Sequence, residues 1–153
     1  MSRDKSRFAV VYATDENYLP LVCFSIQSIC ATNRVVPDLF VLGLGIEDHD
    51  IQKAEEYLCS LGVRATFFSI PNSSFVLGSE KKLNPPIVYL YIKLGSFIPD
   101  SYERVLYLDA DTRVVHDLAP LFEMDLQKAT VGAANDIISF FDEPYRALKE
   151  RHG

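Results

Sequence analysis

"FAVVYATDENYLPLVCFSIQSIC", residues 8–30, decides the fold. Its first part, "FAVVYA" (8–13), is continuous, apolar and rich in β-branched residues, the composition of a strand covered on both faces. After a polar break, Leu19, Val22, Cys23, Ile26, Ile29 and Cys30 recur at intervals of three and four, which predicts an amphipathic helix. The order repeats. "DLFVLGLGI" (38–46) is a second apolar run, and Ile51, Ala54, Leu58 and Leu61 then return at helical spacing on a charged segment. "VRATFFSI" (63–70) reads as a third strand. Buried strands alternating with helices predict an α/β protein, with a mainly parallel sheet flanked by helices.

Further along, "PNSSFVLGSEKKLNPP" (71–86) has the Pro, Gly, Ser and Asn content of a loop. A helix is expected over 87–97, a strand over 104–109, a turn through "HDLAPLFEMDL", and another strand over 129–137. Phe141, Tyr145 and Leu148 are spaced like the start of a last helix whose packing partner the chain does not supply. There is no internal repeat and no low-complexity tract.

With 153 residues and 48% hydrophobic content, the chain is long enough for one domain that buries roughly two-thirds of its unfolded surface. Fifteen Lys and Arg stand against 21 Asp and Glu, a net charge of −6, and no basic run is available to neutralise a polymer's phosphates. Nucleic acid is therefore not an expected partner. Cys23, Cys30 and Cys59 are odd in number, lack metal-ligand spacing and sit among apolar residues, as reduced core thiols of a cytoplasmic protein would. The polar start "MSRDKSRF" carries no signal-peptide pattern, and no transmembrane segment is visible.

The chemistry concentrates where strands end. "VLYLDADTRV" (105–114) closes an apolar strand with two carboxylates, Asp109 and Asp111, one residue apart. If the extended backbone persists, both point the same way. Ligands of open α/β sheets bind outside the carboxyl ends of strands, and a hard cation, Mn²⁺ or Mg²⁺, can be shared there between carboxylates and a diphosphate. The competing reading is that Asp111 caps the next turn with Thr112 while Asp109 is solvated. The loop "TDENY" after the first strand offers an aromatic face and fixed polar groups for a planar base. Equally, Asp15 or Asn17 could cap the helix that begins near Pro20 while Tyr18 packs as a staple.

"VVYATDENYLPLVCFSIQSI", "YIKLGSFIPDSYERVLYLDAD" and "YERVLYLDADTRVVHDLAPLF" resemble, in that order, the first strand, nucleotide loop and helix, the basic helix, and the metal motif of the family 8 glycosyltransferases. The resemblance runs from residue 8 to about 145. It implies a Rossmann-like, GT-A type fold that binds a uridine-diphosphate sugar, and metal-dependent transfer to a saccharide or lipid-linked saccharide acceptor with retention of anomeric configuration. By the same resemblance, Ala13, Thr14, Asp15, Asn17 and Tyr18 hold the uridine, and Asp109, Ala110 and Asp111 hold the metal-bound diphosphate. Lys93 lies near the diphosphate or donor sugar, and Asp136 lines the sugar and acceptor site. The family's later Asn-Ser-Gly motif and late metal-binding histidine are not matched, since His49, His116 and His152 lie elsewhere. The chain is therefore expected to be a donor-binding part, a truncated paralogue, or a subunit completed by self-association or a partner chain.

Two other functions are weighed. One is a non-catalytic module that binds nucleotide sugar without turnover. The other is a haloacid-dehalogenase-type phosphohydrolase, which uses the first Asp of a D-x-D as nucleophile. That family carries the motif on its first strand with Thr or Val two residues beyond, whereas here Arg113 follows and the motif comes late.

Overall fold

Strand β1 (Phe8–Thr14) is buried along almost its whole length, because its side chains alternate between two apolar layers. It is central in a four-stranded sheet, with order β3-β2-β1-β4. The remaining strands are β2 (Asp38–Leu44), β3 (Ala65–Ile70) and β4 (Arg104–Leu108), and every pairing is parallel. These statements come from a computed structural model, which describes residues 8–72 and 90–134. The described residues fall into two compact units that divide after Glu123.

In the first unit, helix α1 (Leu19–Thr32) follows β1, and helix α2 (Asp48–Ser60) follows β2. Pro20 suits the first turn of α1, where its missing N–H would have had no helical partner. One face of the sheet, with Val10, Tyr12, Leu39 and Val41, packs against Val22, Ile26 and Ile29 of α1 and Ala54 and Leu58 of α2. Phe122, in the short helix α3 (Ala119–Phe122), closes that layer and stacks on Phe8 with ring centroids 4.8 Å apart. On the other face Ala9, Val11, Phe40 and Leu42 meet Leu90 and Ile98, which flank a 3₁₀ helix at Tyr91–Ser96. The expected helix over 87–97 is therefore a 3₁₀ turn where it is described; residues 87–89 lie outside the described residues. Only a short apolar edge packs there, too little to extend an α-helix.

The α/β class with a parallel sheet between helical layers is as the sequence implies. Two strand boundaries differ. β3 starts at Ala65 and not Val63. β2 stops at Leu44 because Gly45 turns with φ +64°, its N–H donating to the Ile70 carbonyl at 2.8 Å. A Cβ on Gly45 would run into the Asn72 side chain. Gly45→Ala is accordingly expected to cost about 1–3 kcal/mol, read by denaturant unfolding.

In the second unit, residues 129–134 form no strand, contrary to expectation; they are exposed, irregular backbone. Of the run "VGAA", only Val131 is large, and it is 76% exposed, so little could be gained by pleating it. Residues 135–153, including Asn135, Asp136 and the expected helix with Phe141, Tyr145 and Leu148, lie outside the described residues, as does the expected loop from Ser73 onward.

All three cysteines are free thiols. Cys23 is buried and Cys30 half-buried, but Cys59 is exposed on α2 and is not a core thiol. Among the described residues, no helix is long and apolar enough to cross a membrane.

Candidate functional site

The chain runs from β1 to β2 to β3 along one direction of the sheet, then returns to lay β4 on the other side of β1. That reversal is a topological switch point, and in open α/β sheets ligands bind at such points, outside the carboxyl ends of the strands. Tyr12 is paired with Leu108, so the turn after β1 and the turn after β4 leave the sheet side by side.

The β1 turn is built around Asp15. Its Oδ1 accepts the Asn17 N–H at 3.0 Å and the Tyr18 N–H at 3.2 Å, and its carbonyl accepts the Leu19 N–H at 3.0 Å. Asp15 therefore braces the turn that leads into α1, while the helix itself, with Tyr18 at its N-cap position, has no side-chain cap. Ala13 and Thr14 are buried at the end of β1, and the Thr14 hydroxyl donates to the Asp15 carbonyl at 3.1 Å. Asn17 is exposed, and the Tyr18 ring is 50% exposed, not folded down as a staple. One oxygen of Asp15 thus organises the turn while Asn17 and Tyr18 stay open to solvent.

On the β4 side, the expectation of an extended backbone through Asp111 is not met. The strand ends at Leu108, and the Thr112 N–H donates to the Asp109 carbonyl at 3.1 Å, closing a turn over residues 109–112. Both carboxylates belong to this one turn, and both side chains are exposed. Thr112 is the residue that caps it, its hydroxyl donating to the same carbonyl at 2.7 Å. Ala110 packs against the apolar layer beneath, which anchors the middle of the turn.

Tyr107 lies two residues before Asp109, near the end of β4. Burial, then the Asp109 charge, pushes the Tyr107 phenol up to about 12, so it stays protonated. Tyr91 approaches Tyr107 with ring centroids 6.2 Å apart. This contact brings the 3₁₀ helix carrying Lys93 alongside β4, with Lys93 itself exposed.

Among the described residues, no group of three or more His, Cys, Asp or Glu side chains could hold a metal. Two exposed carboxylates in one turn nonetheless suit a hard divalent cation whose other ligands come from a diphosphate and water. The donor set fits a shared Mn²⁺ or Mg²⁺, not a closed protein cage.

Sequence reasoning found both turns and missed what holds them. Ser25 was detectable as a polar residue on the buried stripe of α1. It is fully buried, 2.8 Å from the Tyr12 hydroxyl and 3.3 Å from that of Thr112. Further along α1, the Ser28 Oγ accepts the Val114 N–H at 2.8 Å. Just beyond its end, the Asn33 Oδ1 accepts the Leu118 N–H at 2.7 Å. The segment after the acidic turn is thus fastened to α1 by side chains.

A parallel sheet whose chain reverses direction at a switch point beside an acidic turn is the frame on which open α/β proteins place their ligands. The sequence model of glycosyl transferase family 8 matches residues 9–152, and the chain belongs to that family. It is 32% identical to the glycosyltransferase GlyF of Streptococcus pneumoniae over 140 residues, 88% of this chain and 33% of GlyF. Its fold is similar to that of the galactosyltransferase LgtC, solved in complex with donor and acceptor sugar analogs, with TM-score 0.73 and 28% identity over 91% of this chain and 50% of LgtC. It is also similar to apo GlyE of S. pneumoniae, with TM-score 0.59 and 25% identity over 85% of this chain and 30% of GlyE. The fold is of the GT-A glycosyltransferase type. The chain spans half or less of the length of each of these relatives.

Proposed function

We propose that the chain is the donor-binding part of a retaining, metal-dependent glycosyltransferase that uses a uridine-diphosphate sugar and a saccharide or lipid-linked saccharide acceptor. The observation that carries this reading is the adjacency of the Asp15–Tyr18 and Asp109–Thr112 turns across the β1–β4 switch point. Membership of family 8 and the likeness to LgtC support it.

In this reading Asp109 and Asp111 hold Mn²⁺ or Mg²⁺ together with the diphosphate. When bound, the cation supplies Lewis-acid stabilisation of the charge on the leaving diphosphate. Lys93 adds positive charge on the side of the 3₁₀ helix. Asn17 offers an amide to the edge of the uracil and Tyr18 a ring to its face, while Asp15 shapes the turn that presents them. By the family resemblance Asp136, which lies outside the described residues, serves the sugar and acceptor. Three free thiols support a reducing, cytoplasmic setting.

The base-recognition half is tested with Tyr18→Ala. Losing the stacking face should weaken uridine and uridine diphosphate alike, by about 1–3 kcal/mol on the scale of base–aromatic stacking. Calorimetry reads both. Equal affinity of the wild type for adenosine and uridine diphosphates would instead make this a general phosphate site and refute uridine selectivity.

A further inference from the structure

Tyr12 and Ser25 are fully shielded from solvent, so neither can touch a nucleotide. A polar group so placed needs a partner, and theirs lead toward the acidic turn. The Tyr12 hydroxyl lies 2.8 Å from Ser25 Oγ, Ser25 Oγ lies 3.3 Å from Thr112 Oγ1, and Thr112 Oγ1 donates to the Asp109 carbonyl at 2.7 Å. The direction of this chain is fixed at its far end. A carbonyl only accepts, so the Thr112 hydroxyl proton is committed to Asp109. Each hydroxyl has one proton to give, so Ser25 donates to Thr112 and Tyr12 donates to Ser25.

We infer that Tyr12, Ser25 and Thr112 form a one-way hydroxyl relay that positions the Asp109–Thr112 turn for a metal-bound diphosphate. They are positioning residues, since within this turn only Asp109 and Asp111 would meet the cation, and the inference rests on the metal–diphosphate reading of that turn. The relay joins the central strand, helix α1 and the acidic turn, three elements whose backbones are not otherwise hydrogen-bonded to one another at this point except through the β1–β4 pairing. Supporting groups of this kind set ligand geometry as strongly as the ligands themselves.

The test uses the full chain and three variants. Thr112→Val removes the hydroxyl at nearly constant shape, Thr112→Ser keeps it, and Ser25→Ala breaks the relay in the middle. Uridine diphosphate and uridine are titrated by calorimetry in Mn²⁺ and in chelator, and amide exchange at Thr112 is followed in the metal-free Ser25→Ala variant. Thr112→Val and Ser25→Ala should weaken Mn²⁺-dependent uridine diphosphate binding by about 10- to 100-fold and leave uridine within about twofold, while Thr112→Ser stays close to wild type. Exchange at the Thr112 amide should quicken. Wild-type affinity in Thr112→Val, where Mn²⁺ does strengthen binding to the wild type, overturns the relay alone. Equal losses for uridine and uridine diphosphate in both hydroxyl-deleting variants also overturn it, because the hydroxyls would then serve general packing. A wild type indifferent to Mn²⁺ is a separate result, which overturns the metal reading and the relay's role in it together.

Discussion

Asp111→Asn is expected to lower affinity for uridine diphosphate in Mn²⁺ by on the order of 100-fold, and to leave binding in chelator unchanged. Among the described residues, the site offers a cation two carboxylates in one turn and no third acidic, His or Cys side chain, so removing one charge removes half of the protein's charged donors. A contact to a charged group is worth about 1.5–3 kcal/mol, and each 1.4 kcal/mol is tenfold in affinity. The side chain is exposed, so the substitution should not perturb the fold. Calorimetry and thermal unfolding of the same preparation read the two effects. A loss in chelator as large as that in Mn²⁺ would assign the effect to the turn's shape and not to a cation.

Ile26→Ala is the opposite case, with a large effect on stability. Ile26 is fully buried at the middle of α1, in the layer with Val10, Tyr12 and Val41. Truncation removes the transfer free energy of three carbons and leaves a cavity that a parallel sheet cannot close, at a cost of about 2–5 kcal/mol. For a chain of this size the melting temperature should fall by on the order of 10 °C, at about 2–4 °C per kcal/mol. Circular dichroism on heating measures it. An unchanged melting temperature would mean that α1 does not carry the core on this face of the sheet.

The strands and long helices were legible because each states its burial in a single period. β1 and β2 are continuous apolar runs, α1 and α2 repeat at three and four, and the structure places them within about two residues of expectation. The 3₁₀ helix was not legible as such, since Leu90, Leu94 and Phe97 suit an α-helical stripe equally well and only the shortness of the packed edge decides. The apolar letters of "VGAA" suggested a strand that residues 129–134 do not form, because Gly and Ala bring too little surface to bury.

At the site, the two turns could be found from Asp15, Asn17, Tyr18, Asp109 and Asp111, but not their shape. Asp15 was open to a capping or a base-binding reading; its bonds to the Asn17 and Tyr18 amides shape the turn before α1, and the helix carries no side-chain cap. The turn at Asp109 could be seen only once Thr112 had folded back on it. Ser25 and Ser28 carry the least visible information. A serine in a helix is ordinary, and these two become significant only when β4 returns beside β1 and brings residues 112–114 against α1.

The central claim is that this site binds a nucleoside diphosphate through a cation held by Asp109 and Asp111. Titrating the wild-type chain with uridine diphosphate in Mn²⁺ and then in chelator, with uridine as the control, tests it most directly. The account predicts tight binding of the diphosphate in Mn²⁺, binding in chelator no stronger than that of uridine, and uridine affinity that ignores the metal. Equal affinity for uridine diphosphate with and without Mn²⁺ would contradict it.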